Sequence, residues 1–337
     1  MDFVSEYLLF AAKLATALAL LGVPVVVLLA ARATRRGSRG EGEVDLEVRQ
    51  LNDRLLDNQL TLEQALLPAR AFKKRRKQLA HARKARARSA AEDAGKRAFV
   101  IQFNGDLRAT AVLSLREEIT TVLAVARSDD EVIVVLESGG GTLHGYGLAA
   151  SQLRRIRDRG IRLRVVVDRI AASGGYMMAC VADEVIAAPF AIIGSIGVIA
   201  QLPNFHRMLQ KHDIDYEQIT GGEYKRTLTL FGENTAEGRD KFQAEIDDAH
   251  ALFKSFVATH RPDLDLDRVG TGEWWFATRA LELGLVDRLA TSDDVIGAVA
   301  ADREVFMVKA RRRRGLLARL SGDGLAGLWR GRGEIPR

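Results

Sequence analysis

Cysteine is almost missing from this chain. Cys180 stands alone among 337 residues, which excludes an internal disulfide framework and a cysteine-built zinc site. Its apolar surroundings, residues 176–181, mark it as a small buried hydrophobe rather than a nucleophile. No internal repeat is visible. Positive charge is missing where a nucleic-acid enzyme would carry it. The net charge of +6 divides into 19 Lys+Arg against 11 Asp+Glu over residues 1–97, 9 against 2 over 309–337, and 22 against 31 between them. Residues 98–308 are therefore acidic, net −9, which argues against nucleic acid as substrate or partner.

Charge of either sign is also missing from residues 14–31, 18 uncharged and mostly apolar positions. At 1.5 Å per residue such a helix spans about 27 Å, enough for a bilayer core, and Pro24 is tolerated there. A cleaved signal peptide would want a basic start, whereas Asp2 and Glu6 precede the run and Arg32, Arg35, Arg36 and Arg39 follow it. Residues 1–32 are thus expected to form an uncleaved transmembrane anchor. By the positive-inside rule, the arginines on its C-terminal flank place the following domain in the cytoplasm. Residues 33–60 are polar with little periodicity and read as a juxtamembrane linker. Residues 70–97 hold 12 Lys+Arg and two acids, with no Pro or Gly before Gly95. That predicts a basic helix, either lying at anionic lipid headgroups or solvated as a charge run.

The folded domain is expected to start at Ala98. Near-continuous apolar, β-branched runs predict strands at 98–105, 131–138, 161–169 and 183–189. Helical spacing fills the intervals at 113–126 and 144–157, and a short helix starts at Ser173. The alternation is that of a largely parallel α/β layer. A further strand is expected over 213–220, then helices over 236–259, 277–283 and 293–301. Residues 309–337 read as an arginine-rich tail.

Ser173 stands where a predicted strand ends and a helix begins. A hydroxyl there projects into the cleft at the carboxyl end of the sheet, and the free amides of the helix N-terminus can receive an oxyanion. Gly174 and Gly175 would let a substrate backbone come close. The competing reading of Ser173 is a helix N-cap. A nucleophilic serine needs a base. Of the six histidines, His81 lies in the basic run, and His206, His212, His250 and His260 read as solvated surface. His144, after a glycine loop, is a weak candidate. A buried lysine can serve instead, because desolvation disfavours its charged form. Lys225 follows the predicted strand 213–220; taken alone it would read as surface. Glu137-Ser138-Gly139-Gly140-Gly141 ends a strand beside the Ser173 turn, and Gly194-Ser195-Ile196-Gly197-Val198 is either a pocket-lining loop or an ordinary tight turn.

In this order, ESGGG (137–141), AASGGYMMA (171–179), GSIGV (194–198), GEYKRTLT (222–229) and TGEWWFATRALELGLVD (271–287) resemble the signal peptide peptidase A family. The basic segment and ESGGGTLHGYGLAASQL (137–153) are similar to its SohB branch of bacterial inner-membrane proteases. The resemblance implies a ClpP/crotonase-like layered α/β domain over 98–308 that needs no metal or cofactor. It implies Ser173 as nucleophile and Lys225, 52 residues on, as general base, with Ser195 hydrogen-bonded to the lysine. The amides of Gly174 and Gly140 would form the oxyanion hole. Gly139 departs from the family, which has proline there, so the Gly140 amide would be less firmly aimed. Peptide or protein substrates, contact with membrane lipid and a ring-shaped homo-oligomer are implied as well. The family's active site is taken to be periplasmic, against the arginine count. Two other readings stay open: a crotonase-like acyl-thioester enzyme using the glycine amides alone, and an inactive membrane scaffold. Intact Ser173, Ser195 and Lys225 favour the peptidase.

Overall fold

The computed structural model describes residues 44–92 and 95–312. The expected membrane anchor, and the arginine-rich end beyond 312, lie outside the described residues. Among the described residues, no helix is long and apolar enough to cross a membrane. Residues 47–309 form one compact unit, while 44–46 and 310–312 belong to a second.

β1 (Val44–Gln50) leads into α1 (Leu51–Leu66) and α2 (Ala69–Glu92). An alternating run follows: β2 (Arg97–Asn104), α3 (Val112–Val125), β3 (Glu131–Glu137), α4 (Leu143–Asp158) and β4 (Arg162–Val167). Next come β5 (Ile170–Ala172), α5 (Gly174–Ala179), β6 (Glu184–Ala187), β7 (Ile192–Gly194) and α6 (His206–Lys211). The last described elements are α7 (Ala236–His260), α8 (Leu266–Val269), β8 (Trp274–Phe276), α9 (Ala277–Glu282), β9 (Arg288–Leu289), α10 (Ser292–Asp302) and β10 (Glu304–Arg312).

Seven strands make the main sheet in the order β1-β10-β2-β3-β4-β6-β9. The pairings from β10 to β9 are all parallel. The strands are apolar on both sides because both faces are covered. Phe99, Ile101 and Phe103 of β2 join Val132, Val134 and Leu136 of β3 under α3 and α4. The intervening residues Ala98, Val100 and Ile133 face the other way, against Val295 and Val299 of α10 and Leu51 of α1. This is the period-two alternation of a pleated strand turned into a three-layer sandwich.

A second sheet, in the order β5-β7-β8, stands at the carboxyl end of β3. A parallel bridge between Ser138 and Ala171 joins the two sheets. The Ser138 amide donates to the Ile170 carbonyl at 2.9 Å, and the Ala172 amide to the Ser138 carbonyl at 3.0 Å. That bridge delivers the glycine run after β3 to the start of α5.

The strands expected at 98–105, 131–138, 161–169 and 183–189 are present as β2, β3, β4 and β6. The stretch read as linker holds β1 and most of α1 instead. No strand forms over 213–220, where every residue is exposed and irregular and no ladder partner lies beside it among the described residues. The end of the folded part lies later than residue 308, because β10 runs through the first two arginines of the basic run.

Candidate active site

Ser173 occupies the turn between β5 and α5 with φ 52° and ψ −119°. A non-glycine residue pays about 1–3 kcal/mol to sit in such a conformation. Its amide donates to the Gly194 carbonyl (2.8 Å), and its carbonyl accepts from the Met177 amide (3.0 Å). The hydroxyl makes no capping bond to the helix. The N-cap reading is therefore removed. Ser173 is half-buried on a strained strand-to-helix turn.

Ser195 repeats the pattern at the end of the neighbouring strand, with φ also 52°. Ala172 of β5 is paired with Gly194 of β7, so Ser173 and Ser195 are the next residues in a parallel register. Adjacent strands run about 5 Å apart, which brings the two serines side by side. The Ser195 amide donates to the Glu273 carbonyl at 2.6 Å. The Trp275 ring lies where a Cβ on Gly194 would come within 2.9 Å, and Gly194 has φ +104°. His250, expected at the solvated surface, is half-buried, and its Nε2 is 3.1 Å from the Ile196 carbonyl. It ties α7 to this loop, a contact that sequence spacing did not signal.

The glycine run reaches Ser173 from the other side. Gly140 has φ +90°, and a Cβ there would lie 2.7 Å from the Ser173 Cβ and 2.8 Å from the Gly174 nitrogen. Its amide is engaged, donating to Ser138 Oγ at 3.1 Å. Gly174 and Gly175 do not open the site to a substrate backbone, as the sequence suggested. A Cβ on Gly174 would strike the Tyr146 ring at 2.4 Å, and one on Gly175 would strike the Ser138 carbonyl at 2.5 Å. They are glycines so that the helix can press against α4 and the end of β3.

Lys225 is not buried. It lies in the irregular, exposed stretch before α7, and its only hydrogen bond among the described residues is from its amide to the Gly222 carbonyl (3.2 Å). Neither a hydrogen bond nor an ion pair joins its amine to Ser173 or Ser195. His144 is exposed on the first turn of α4. Cys180 is fully buried, and burial pushes its thiol up to about 12, which suits a packing role. No cluster of metal-binding side chains occurs among the described residues.

A largely parallel sheet covered by helices, with a strained serine beside two glycine turns, makes this an α/β protein. Residues 2–153 match the family described as Peptidase family S49 N-terminal, and residues 155–306 match Peptidase family S49. The chain belongs to Peptidase family S49, in keeping with the resemblance carried by its motifs. A Haemophilus influenzae protein described as "Probable protease SohB" is 54% identical over 219 residues, 65% of this chain. That alignment spans 62% of the Haemophilus protein, less than two thirds of its length. A protein of the same description from Buchnera aphidicola subsp. Schlechtendalia chinensis is 45% identical over 306 residues, 88% of this chain and 99% of the relative.

Proposed function

We propose that the chain is a membrane-anchored serine endopeptidase of the bacterial inner membrane, with a ClpP-like domain that hydrolyses membrane-derived or unfolded peptides. The observation that carries this reading is Ser173: a hydroxyl with no capping partner, on a strained turn at the N-terminus of α5. In the reaction, Ser173 Oγ attacks the peptide carbonyl carbon while its proton passes to Lys225 Nζ. The oxyanion is received by the amide of Gly174 and by that of Gly140, which keeps its 3.1 Å bond to Ser138 Oγ as a three-centre donor. Collapse breaks the C–N bond, Lys225 returns the proton to the leaving amine, and an ester to Ser173 remains. Water, deprotonated by Lys225, then releases the acid. Ser195 holds the lysine amine toward Ser173.

Because Lys225 lies on an exposed stretch, the dyad closes only when that stretch is packed against more protein, which we assign to a second copy of the chain. The test is labelling with a fluorophosphonate alongside peptide turnover. Wild type should be labelled at Ser173, and Ser173→Ala and Lys225→Ala should each lose turnover by at least about 1,000-fold. Lys225→Arg should be equally inactive, because a guanidinium does not give up its proton near neutral pH. Turnover retained by Lys225→Arg would remove the lysine from the role of base.

A further inference from the structure

Behind the glycine turn lies a one-way chain of hydrogen bonds. Tyr146 is fully buried on α4, and its hydroxyl is 2.8 Å from the Asp106 carbonyl. A carbonyl can only accept, so the single phenol proton goes there. Ser138 Oγ is 2.5 Å from the same phenol oxygen and must therefore donate its own proton to it. That leaves the Ser138 oxygen as acceptor for the Gly140 amide, at 3.1 Å. The direction is fixed from Gly140 through Ser138 and Tyr146 to Asp106, and each bond polarises the next. Burial raises the Tyr146 phenol above its ordinary range, which keeps the proton in place.

The same tyrosine also supports the opposite wall. Its ring lies where a Cβ on Gly174 would fall, 2.4 Å from the ring's Cγ, so the backbone beside Ser173 rests on the ring. Gly105 is held open for the hydroxyl end: a Cβ there would meet the phenol oxygen at 2.3 Å and Ser138 Oγ at 2.5 Å. One buried side chain thus touches both backbone segments that flank the Ser173 hydroxyl, its ring on Gly174 and its hydroxyl on the Gly140 turn.

We infer that Tyr146 and Ser138 are positioning residues for acyl transfer: they set the gap between the Gly174 and Gly140 amides across Ser173. The inference rests on the reading of Ser173 as nucleophile with those amides as oxyanion donors. Neither residue touches the substrate. Both act through the backbone, so their loss should slow the chemical step without weakening substrate binding.

The experiment uses the full chain with Tyr146→Phe, Ser138→Ala and the double variant, measuring kcat and KM on a peptide ester together with thermal melting. Tyr146→Phe keeps the ring and deletes only the hydroxyl. Losing an oxyanion donor costs 100- to 1,000-fold, and misdirecting one costs less, so kcat should fall about 10- to 100-fold in each single variant. KM should stay within about twofold. The double variant should be no slower than the worse single one, since both break the same chain. Unchanged kcat in Tyr146→Phe and Ser138→Ala, a loss carried by KM, or multiplied losses in the double variant would each overturn the inference. Ser173→Ala run alongside separates the two levels. If it keeps wild-type turnover, the nucleophile assignment fails. If it is inactive while Tyr146→Phe and Ser138→Ala turn over normally, only the positioning role fails.

Discussion

At the scale of single residues, glycines at the site divide by the reason they are glycine. Gly140 needs a left-handed backbone, and Gly141 has no room, because a Cβ there would lie 2.1 Å from the Leu107 carbonyl oxygen. Gly139 needs neither. Its φ is outside the left-handed range, and a Cβ would meet only the Ile170 Cδ1 at an ordinary 3.7 Å. Its amide makes no hydrogen bond among the described residues, and Ser138 before it is held extended by its bridge to Ala171. Gly139→Pro should therefore be accepted and should stabilise the fold by about 0.4–1 kcal/mol, by restricting the unfolded chain. Denaturant melting checks this, with turnover equal to wild type or higher. A lower midpoint would show that the turn uses backbone freedom at 139. The motif of the proposed site was legible, since Ser173 stands between a strand and a helix as the sequence predicts. What lies behind it was not, because Tyr146 is 27 residues before Ser173 and reads as helix core.

At the scale of elements, legibility followed the apolar runs. β2, β3, β4 and β6 are buried on both faces, so their composition announces them. β1, β8 and β9 are short or half-exposed and carry little signal of their own; they exist because a neighbouring strand offers a ladder. The same holds for α1, whose start is fixed by a distant contact. Asn52 donates to the Ala300 and Arg303 carbonyls, both at 2.9 Å, and accepts from the Val305 amide at 2.7 Å. One half-buried amide thus clasps α1 to the junction of α10 and β10, across about 250 residues of sequence. Replacing it leaves two carbonyls and an amide without partners. Asn52→Ala should cost about 1–3 kcal/mol by urea melting, and Asn52→Asp nearly as much, because a carboxylate cannot donate to the two carbonyls. A loss under about 0.5 kcal/mol would show that water replaces the clasp freely.

At the scale of the whole molecule, burial is uneven. The central strands β2, β3, β4 and β6 hide nearly all their apolar residues, whereas the stretch between β7 and α7 exposes them. Ile219 is 94% exposed and Ile199 78%, and Phe231 packs against Phe205 and Tyr216 on the same irregular segment. Single exposed apolar side chains are ordinary, but a run of them beside the proposed base is the composition of a covered surface. The strand expected over 213–220 falls in this stretch, and its apolar residues Ile214, Tyr216 and Ile219 are all exposed. If a second copy covers the segment, a charge at its most exposed apolar position should separate the copies without harming the fold. Ile219→Asp should lower the mass measured by sedimentation, reduce turnover at least about tenfold, and leave thermal melting of the sheet domain within about 2 °C, since an exposed surface substitution costs little by itself. Fluorophosphonate labelling should slow with it, because Lys225 would lose the packing that brings it to Ser173. Unchanged mass together with full turnover would mean that Lys225 reaches Ser173 within one chain and that this face serves another partner.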